Sequence, residues 1–331
     1  MGLKGFVDLQ VNGWRGVDFS STGLTMEGIR KAARELAARG TAAFCPTVIT
    51  SSWAAYGHAL PLLAAAADDP ECGSRILGIH LEGPFISAAE GAVGAHPRRF
   101  VLPPDIAAFD RLYDLCRGRL RILTLAPELP LAVALIRRAV GRGVRVSLGH
   151  TLAGEDDVAR AVDAGASLST HLGNGCPALI DRHRNPIWAQ LGSPLTIMMI
   201  ADGHHLPPSM LNAFLLAKAP GKAILTSDSA PVAGLPPGEY DAFGSRIRLT
   251  ETGRIESLEG PWLAGSASCL LDCVNFLASM GHAEEDLLLR LARDNPLESL
   301  GLGPAMPDIP AEPPVRWTGT GFEVTGKEQS A

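Results

Sequence analysis

The chain has 331 residues, 46% of them hydrophobic and 19% charged. That composition supplies a large core and excludes a disordered chain, and the length fits one or two domains or a single barrel with additions. A formal net charge of −6 argues against a nucleic-acid surface, which needs a basic face, but still allows a pocket for one anionic small molecule.

The opening stretch, MGLKGFVDLQ, is too short and polar for a signal peptide. No apolar run reaches the roughly 18 residues of a membrane helix. The expectation is a soluble, reduced, cytoplasmic protein without a membrane or nucleic-acid partner. Eight short apolar runs are predicted strands: Leu3–Val11, Thr41–Ile49, Arg75–Leu81, Leu120–Leu125, Val144–Leu148, Ala166–His171, Leu195–Ile200 and Lys222–Thr226. Helix-period segments alternate with them. Thr25–Arg39 begins on Thr25 as N-cap and stops at Gly40; Leu131–Arg142 and Glu155–Ala164 also end at glycines. This alternation implies parallel pairing, and the count of eight predicts an α/β fold of the (β/α)8 TIM-barrel kind. An open doubly wound sheet is the structural alternative.

The last hundred residues differ. A hairpin-like insertion is predicted over about 234–260, with Ser245–Thr250 next to the Thr252–Gly253 turn. Leu263–Met280 returns to a helical pattern, so the barrel is assigned to 1–303. Residues 304–331 form a tail in which Pro304–Pro314 is extended and Trp317–Val324 is a short β piece. Six cysteines are scattered without a C-x-x-C pair, and Cys269 and Cys273 are spaced to share a helix face in the core.

Polar residues interrupt the strands at their C-terminal ends. Asp8 and Gln10 end the first, His80 and Glu82 the third, His150 the fifth, and His171 the sixth. His204 and His205 follow the seventh, and Asp228 ends the eighth. In a barrel these ends converge on the face where active sites are built. A lone strand-end histidine is more often a hydrogen-bonded structural residue than a ligand. Glu82, His150 and His171 together are a three-ligand set for Zn²⁺ or another borderline divalent ion, with a position left open for water. Such an ion lowers the pKa of its water toward about 7, and Asp228 can carry the proton to a leaving amine. Asp202 reads as a loop cap, and Glu155, Asp156 and Asp157 as a helix N-terminus.

These motifs, taken in order, resemble the N-acetylglucosamine-6-phosphate deacetylases of the amidohydrolase superfamily. GFVDLQVNG at Gly5–Gly13, HLEGP at His80–Pro84, GHT at Gly149–Thr151, THLGN at Thr170–Asn174, ADGHH at Ala201–His205, TSDS at Thr226–Ser229, LAGSA at Leu263–Ala267 and NP at Asn295–Pro296 carry the resemblance. It implies Glu82, His150 and His171 as metal ligands, Asp228 as general base and acid, and His96 beside the substrate carbonyl. It also implies His205, Asn174 and Gly175 at the sugar, Arg182 or Arg184 at a phosphate, and a homodimer. Gln10 and His80 stand close behind the ligands. Gln10 occupies a position where the family's H-x-H version holds a second metal, so one ion is implied, Zn²⁺ first and Fe²⁺ or Mn²⁺ as alternatives. The chain departs from the family at THLGNGCP and at Asp181–Pro186. It also lacks the strands that in the family precede the barrel, so only Trp317–Val324 would remain of the small β domain.

The expected activity is deacetylation of an N-acetylated amino sugar, phosphorylated or not, by a metal-bound hydroxide. Two alternatives stay open. One is hydrolysis of another N-acyl compound, cyclic imide or lactone at the same site. The other is a metal-binding homologue without activity.

Overall fold

The computed structural model describes residues 5–218, 220–303 and 314–325. Its main sheet consists of β1 (Phe6–Val11), β2 (Thr41–Ile49), β3 (Ile79–Glu82), β4 (Leu120–Leu125), β5 (Arg145–Leu148), β6 (Leu168–Ser169), β7 (Thr196–Met199) and β8 (Ala223–Leu225). They pair in chain order and in parallel. Past the end of β8, Ser229 bridges to Val11, and Asp228 N–H donates to the Gln10 carbonyl at 3.0 Å. The last strand thus returns to the first. A doubly wound sheet would reverse its strand order at a switch point, and this one does not.

Strands covered on both faces read as continuous apolar runs. In β2 all nine residues, TAAFCPTVI, are buried. Within the barrel, Val7, Leu9, Ala43, Ile122, Met198 and Ile224 form one apolar plug. A polar belt accompanies it: His80 bonds the Thr124 hydroxyl, and the Thr170 hydroxyl meets those of Thr124 and Ser147 at 2.6–2.8 Å. Inward-facing side chains in such layers fill a barrel of this size.

The first helix runs over Met26–Ala37, and the Thr25 hydroxyl accepts from Gly28 N–H as an N-cap should. Gly40 (φ 83°) provides the left-handed residue after it. The helix predicted from Leu263 begins only at Leu270. Its first residues are instead drawn into extended pairing beside the end of β8: Ser266 N–H donates to Asp228 and Ala230 N–H to Ser266, at 2.9 and 2.8 Å. Asp272 then caps Cys269 N–H. All six cysteines are unpaired, and Cys269 and Cys273 are both fully buried.

The insertion is a three-stranded antiparallel meander of Gly238–Ala242, Ser245–Leu249 and Ile255–Ser257. Near the C-terminus, Val315–Trp317 and Phe322–Val324 form a hairpin. It docks on the barrel: the Phe322 ring meets Phe6 edge-on at 5.3 Å, and Asn275 bonds both backbone groups of Phe322. The extended stretch expected at Pro304–Pro314 falls, up to residue 313, outside the described residues. Phe322 is 5% exposed, and truncating a buried phenylalanine costs about 3–5 kcal/mol. Phe322→Ala should therefore lower the urea midpoint of the whole chain. An unchanged midpoint would mean that the hairpin adds nothing to the barrel's stability.

Candidate metal centre and catalytic site

Glu82 is the last residue of β3, and His150 and His171 lie just beyond β5 and β6. His150 (φ 52°), His171 (φ 30°) and Asp228 (φ 51°) all adopt left-handed backbone. For residues with a Cβ this costs on the order of 1–2 kcal/mol each. Neighbouring backbone holds each in place. Ser87 N–H donates to the His150 carbonyl at 2.9 Å, Asn174 N–H to that of His171 at 3.0 Å, and Ser266 N–H to that of Asp228 at 2.9 Å. Strain repeated at equivalent strand ends marks a functional face.

The strain brings three ligand atoms together. Glu82 Oε1 lies 3.1 Å from His150 Nε2 and 2.9 Å from His171 Nε2, and the two imidazole nitrogens are 3.1 Å apart. Among the described residues this is the one such group of His, Cys, Asp or Glu. A triangle of that size suits ligands each about 2 Å from a single ion. The His150 Nδ1 proton goes to the Ala92 carbonyl at 2.7 Å, which leaves the Nε2 lone pair for a metal. The electrostatics agree. Burial alone would raise the Glu82 carboxyl, but the contacts with His150 and His171 that a metal would replace hold it well below its ordinary value. Burial would lower His171, yet its bond to Glu82 and the nearby charges of Glu82 and Asp228 raise it. The site attracts positive charge.

Gln10 donates its Nε2 proton to Glu82 Oε1 at 3.0 Å, so it orients the ligand and presents no lone pair to it. His96 is buried. Its Nδ1 accepts from Thr50, and its ring stands 4.2 Å from that of His150. His80 belongs to the polar belt, between the Leu9 carbonyl and the Thr124 hydroxyl, and burial lowers its pKa to about 4. A cavity of about 540 Å³ opens over the centre and is lined by Asp228, Asn174, Gly175 and His205 along with the ligands. Gly175 (φ 57°) lies against His150, where an added Cβ would sit 3.0 Å from the ring. Arg182 and Arg184 are exposed and do not line the cavity. Asp181, beside them, accepts from the backbone of His183 and Arg184.

Sequence reasoning missed several parts. Asn12 donates to Asp228 Oδ1 at 2.7 Å. It lies two residues beyond Gln10 on the same strand end, so the signal was available. Asp202 does cap its loop, through His204 and His205 N–H, and its other oxygen holds His205 Nδ1 at 2.8 Å and the Ser266 hydroxyl. Phe243 reaches the cavity from the insertion, Trp262 from the segment just after it, and Ile49 from β2. Only the tertiary fold places them there.

A parallel barrel with Glu, His and His converging at its mouth as a candidate metal site, beside a buried aspartate, defines an amidohydrolase. No protein-family model matches the chain. It is 34% identical to the N-acetylglucosamine-6-phosphate deacetylase of Bos taurus, over 90% of this chain and 74% of that one. It is 30% identical to an N-acetylgalactosamine-6-phosphate deacetylase of Escherichia coli, over 90% and 77%. The crystal structure of the Mycobacterium smegmatis N-acetyl-D-glucosamine-6-phosphate deacetylase superposes with a TM-score of 0.83 at 29% identity, covering 91% of this chain and 78% of that one. An alanine variant of that enzyme was solved with N-acetyl-D-glucosamine-6-phosphate bound. The chain belongs to the N-acetylglucosamine-6-phosphate deacetylase family.

Burial, followed by the charge of Glu82, raises the Asp228 pKa from 3.8 to about 6. Keeping it ionised at pH 7 therefore costs the folded metal-free chain stability, up to about 3 kcal/mol. The cost shrinks as pH falls through 6 and disappears below the unfolded value. Asp228→Asn should make the metal-free protein more stable at pH 7, with a smaller gain at pH 5. Equal stability of the two proteins at both pH values would show that the aspartate is not held against its charge.

Proposed function

We propose that this protein removes the acetyl group from an N-acetylated hexosamine 6-phosphate, with N-acetylglucosamine 6-phosphate as its first substrate. The observation that carries the reading is the convergence of Glu82, His150 and His171 within 3.1 Å of one another beside Asp228. These three residues would hold one divalent ion, Zn²⁺ before Fe²⁺ or Mn²⁺. When bound, such an ion polarises the acetyl carbonyl and acidifies a water.

The side chains do the rest. Asn12 pins one oxygen of Asp228, leaving the other to take a proton from the attacking water. The same oxygen then delivers that proton to the departing nitrogen. The C–N bond breaks as the new C–O bond forms, releasing acetate and the free amine. Because Thr50 N–H donates to His96 Nδ1, the His96 proton resides on Nε2, where it can stabilise the developing oxyanion. Asp202 fixes His205, which binds the sugar together with Asn174 and Gly175.

Phosphate recognition needs a cation from outside the cavity lining. The described residues lining the cavity include no Lys or Arg. Arg182 and Arg184 stand in solvent on the loop that lines one wall, near Leu179, Ile180 and Trp188, which are 94%, 38% and 54% exposed. An apolar edge of this kind calls for a partner. We take it as the contact of a homodimer, in which a guanidinium from one copy reaches the mouth of the other's cavity. The unpaired cysteines suit a reducing cytoplasm. The assignment of 1–303 to the catalytic barrel belongs to this proposal.

A second reading is favoured by the lack of Lys or Arg among the described lining residues, which include Glu90: the same hydrolysis on a neutral N-acyl compound. N-acetylglucosamine, its 6-phosphate, N-acetylgalactosamine 6-phosphate and unrelated N-acyl amides separate the two. The 6-phosphates should lead in kcat/KM by at least about 100-fold, as expected where a charged group has a dedicated partner. Equal rates with and without phosphate would support the second reading. Asp228→Asn should keep its metal and lose nearly all turnover, and wild-type rates in that variant would remove Asp228 from the chemistry.

A further inference from the structure

The cavity walls differ in chemistry. Asn174, Gly175 and His205 make one side polar, whereas Ile49, Ala95 and Phe243 make another apolar. These three belong to a single apolar cluster with Ala230, Val232 and the inner residues of the insertion. The wall abuts the metal centre. Ile49 is the register partner of Glu82 on the neighbouring strand. Ala95 precedes His96, whose ring lies 4.2 Å from His150.

Phe243 is held there deliberately. It forms the tip of the turn between Gly238–Ala242 and Ser245–Leu249, with left-handed backbone (φ 57°) and 6% exposure. Its backbone N–H is taken by the half-buried carboxyl of Asp18. A bulky residue in this conformation costs about 1–3 kcal/mol and persists only where its surroundings fix it.

An amide carbonyl carbon carries three substituents. In the reading given above, on which this inference rests, the oxygen turns to the metal side and His96. The nitrogen turns to Asp228 and carries the sugar toward His205 and Asn174. The acyl chain is left facing Ile49, Ala95 and Phe243. We propose that these residues form an acyl pocket, and that Phe243 is the specificity-determining residue that closes it to chains longer than acetyl.

The test compares kcat/KM for N-acetyl-, N-propionyl- and N-butyryl-glucosamine 6-phosphate in the wild type, Phe243→Ala and Phe243→Leu. A methylene in an apolar pocket discriminates by about 10–200-fold. The wild type should therefore lose at least about 10-fold from acetyl to butyryl. Phe243→Ala should raise the butyryl-to-acetyl ratio by at least about 10-fold, and Phe243→Leu by less. Because ratios are compared within each protein, partial loss of folded enzyme does not affect the result, and the leucine variant preserves the packing if the alanine variant fails to fold. Two results would overturn the proposal: a wild type indifferent to acyl length, or an acyl profile identical in all three proteins. If the wild type cleaves not even the acetyl compound, the deacetylase reading fails and this inference fails with it.

Discussion

The structure depends on one electrostatic demand. A carboxylate oxygen and two imidazole nitrogens are packed 2.9–3.1 Å apart in a buried site. Uncompensated, such a cluster is costly, because burial strengthens the mutual repulsion of lone pairs as much as any attraction. A cation at their centre turns the cost into binding energy. The raised His171 and lowered Glu82 express the same demand from opposite signs.

Much of the barrel serves that centre. Gln10 and the Ala92 carbonyl aim the ligands, and Gly175 leaves room for the His150 ring. Three strand ends accept left-handed backbone so that His150, His171 and Asp228 turn into the mouth. The carboxylate to which the proposed function gives the proton is not a member of the cluster. It is held beside it by Asn12, and burial brings its pKa to about 6, a value suited to giving and taking a proton near neutrality. A charged Asp228 and the stability of the metal-free fold therefore oppose each other.

The barrel and the convergence of Glu82, His150 and His171 as a candidate metal site were legible because both follow local rules. Apolar runs of strand length alternated with amphipathic helices, and each ligand interrupted an apolar run at the end where a barrel gathers its chemistry. The cavity walls were not legible in the same way. Phe243 comes from a meander and Trp262 from the segment after it, and their placement at the mouth leaves no periodic trace in sequence. The helix expected from Leu263 was misplaced for a related reason. Residues 263–269 have a helical pattern, but pairing with the end of β8 offers their backbone better partners. His80 shows the converse: it shares a strand end and a face with Glu82, yet lying two residues earlier places it in the polar belt, bonded to Leu9 and Thr124.

The most direct test of the central claim is a metal count on the purified protein, joined to X-ray absorption at the metal edge. One ion per chain is expected, in a shell of two imidazole nitrogens and carboxylate oxygen, with His171→Ala losing both the ion and that shell. Two ions per chain, or metal content and spectrum unchanged in His171→Ala, would contradict the account.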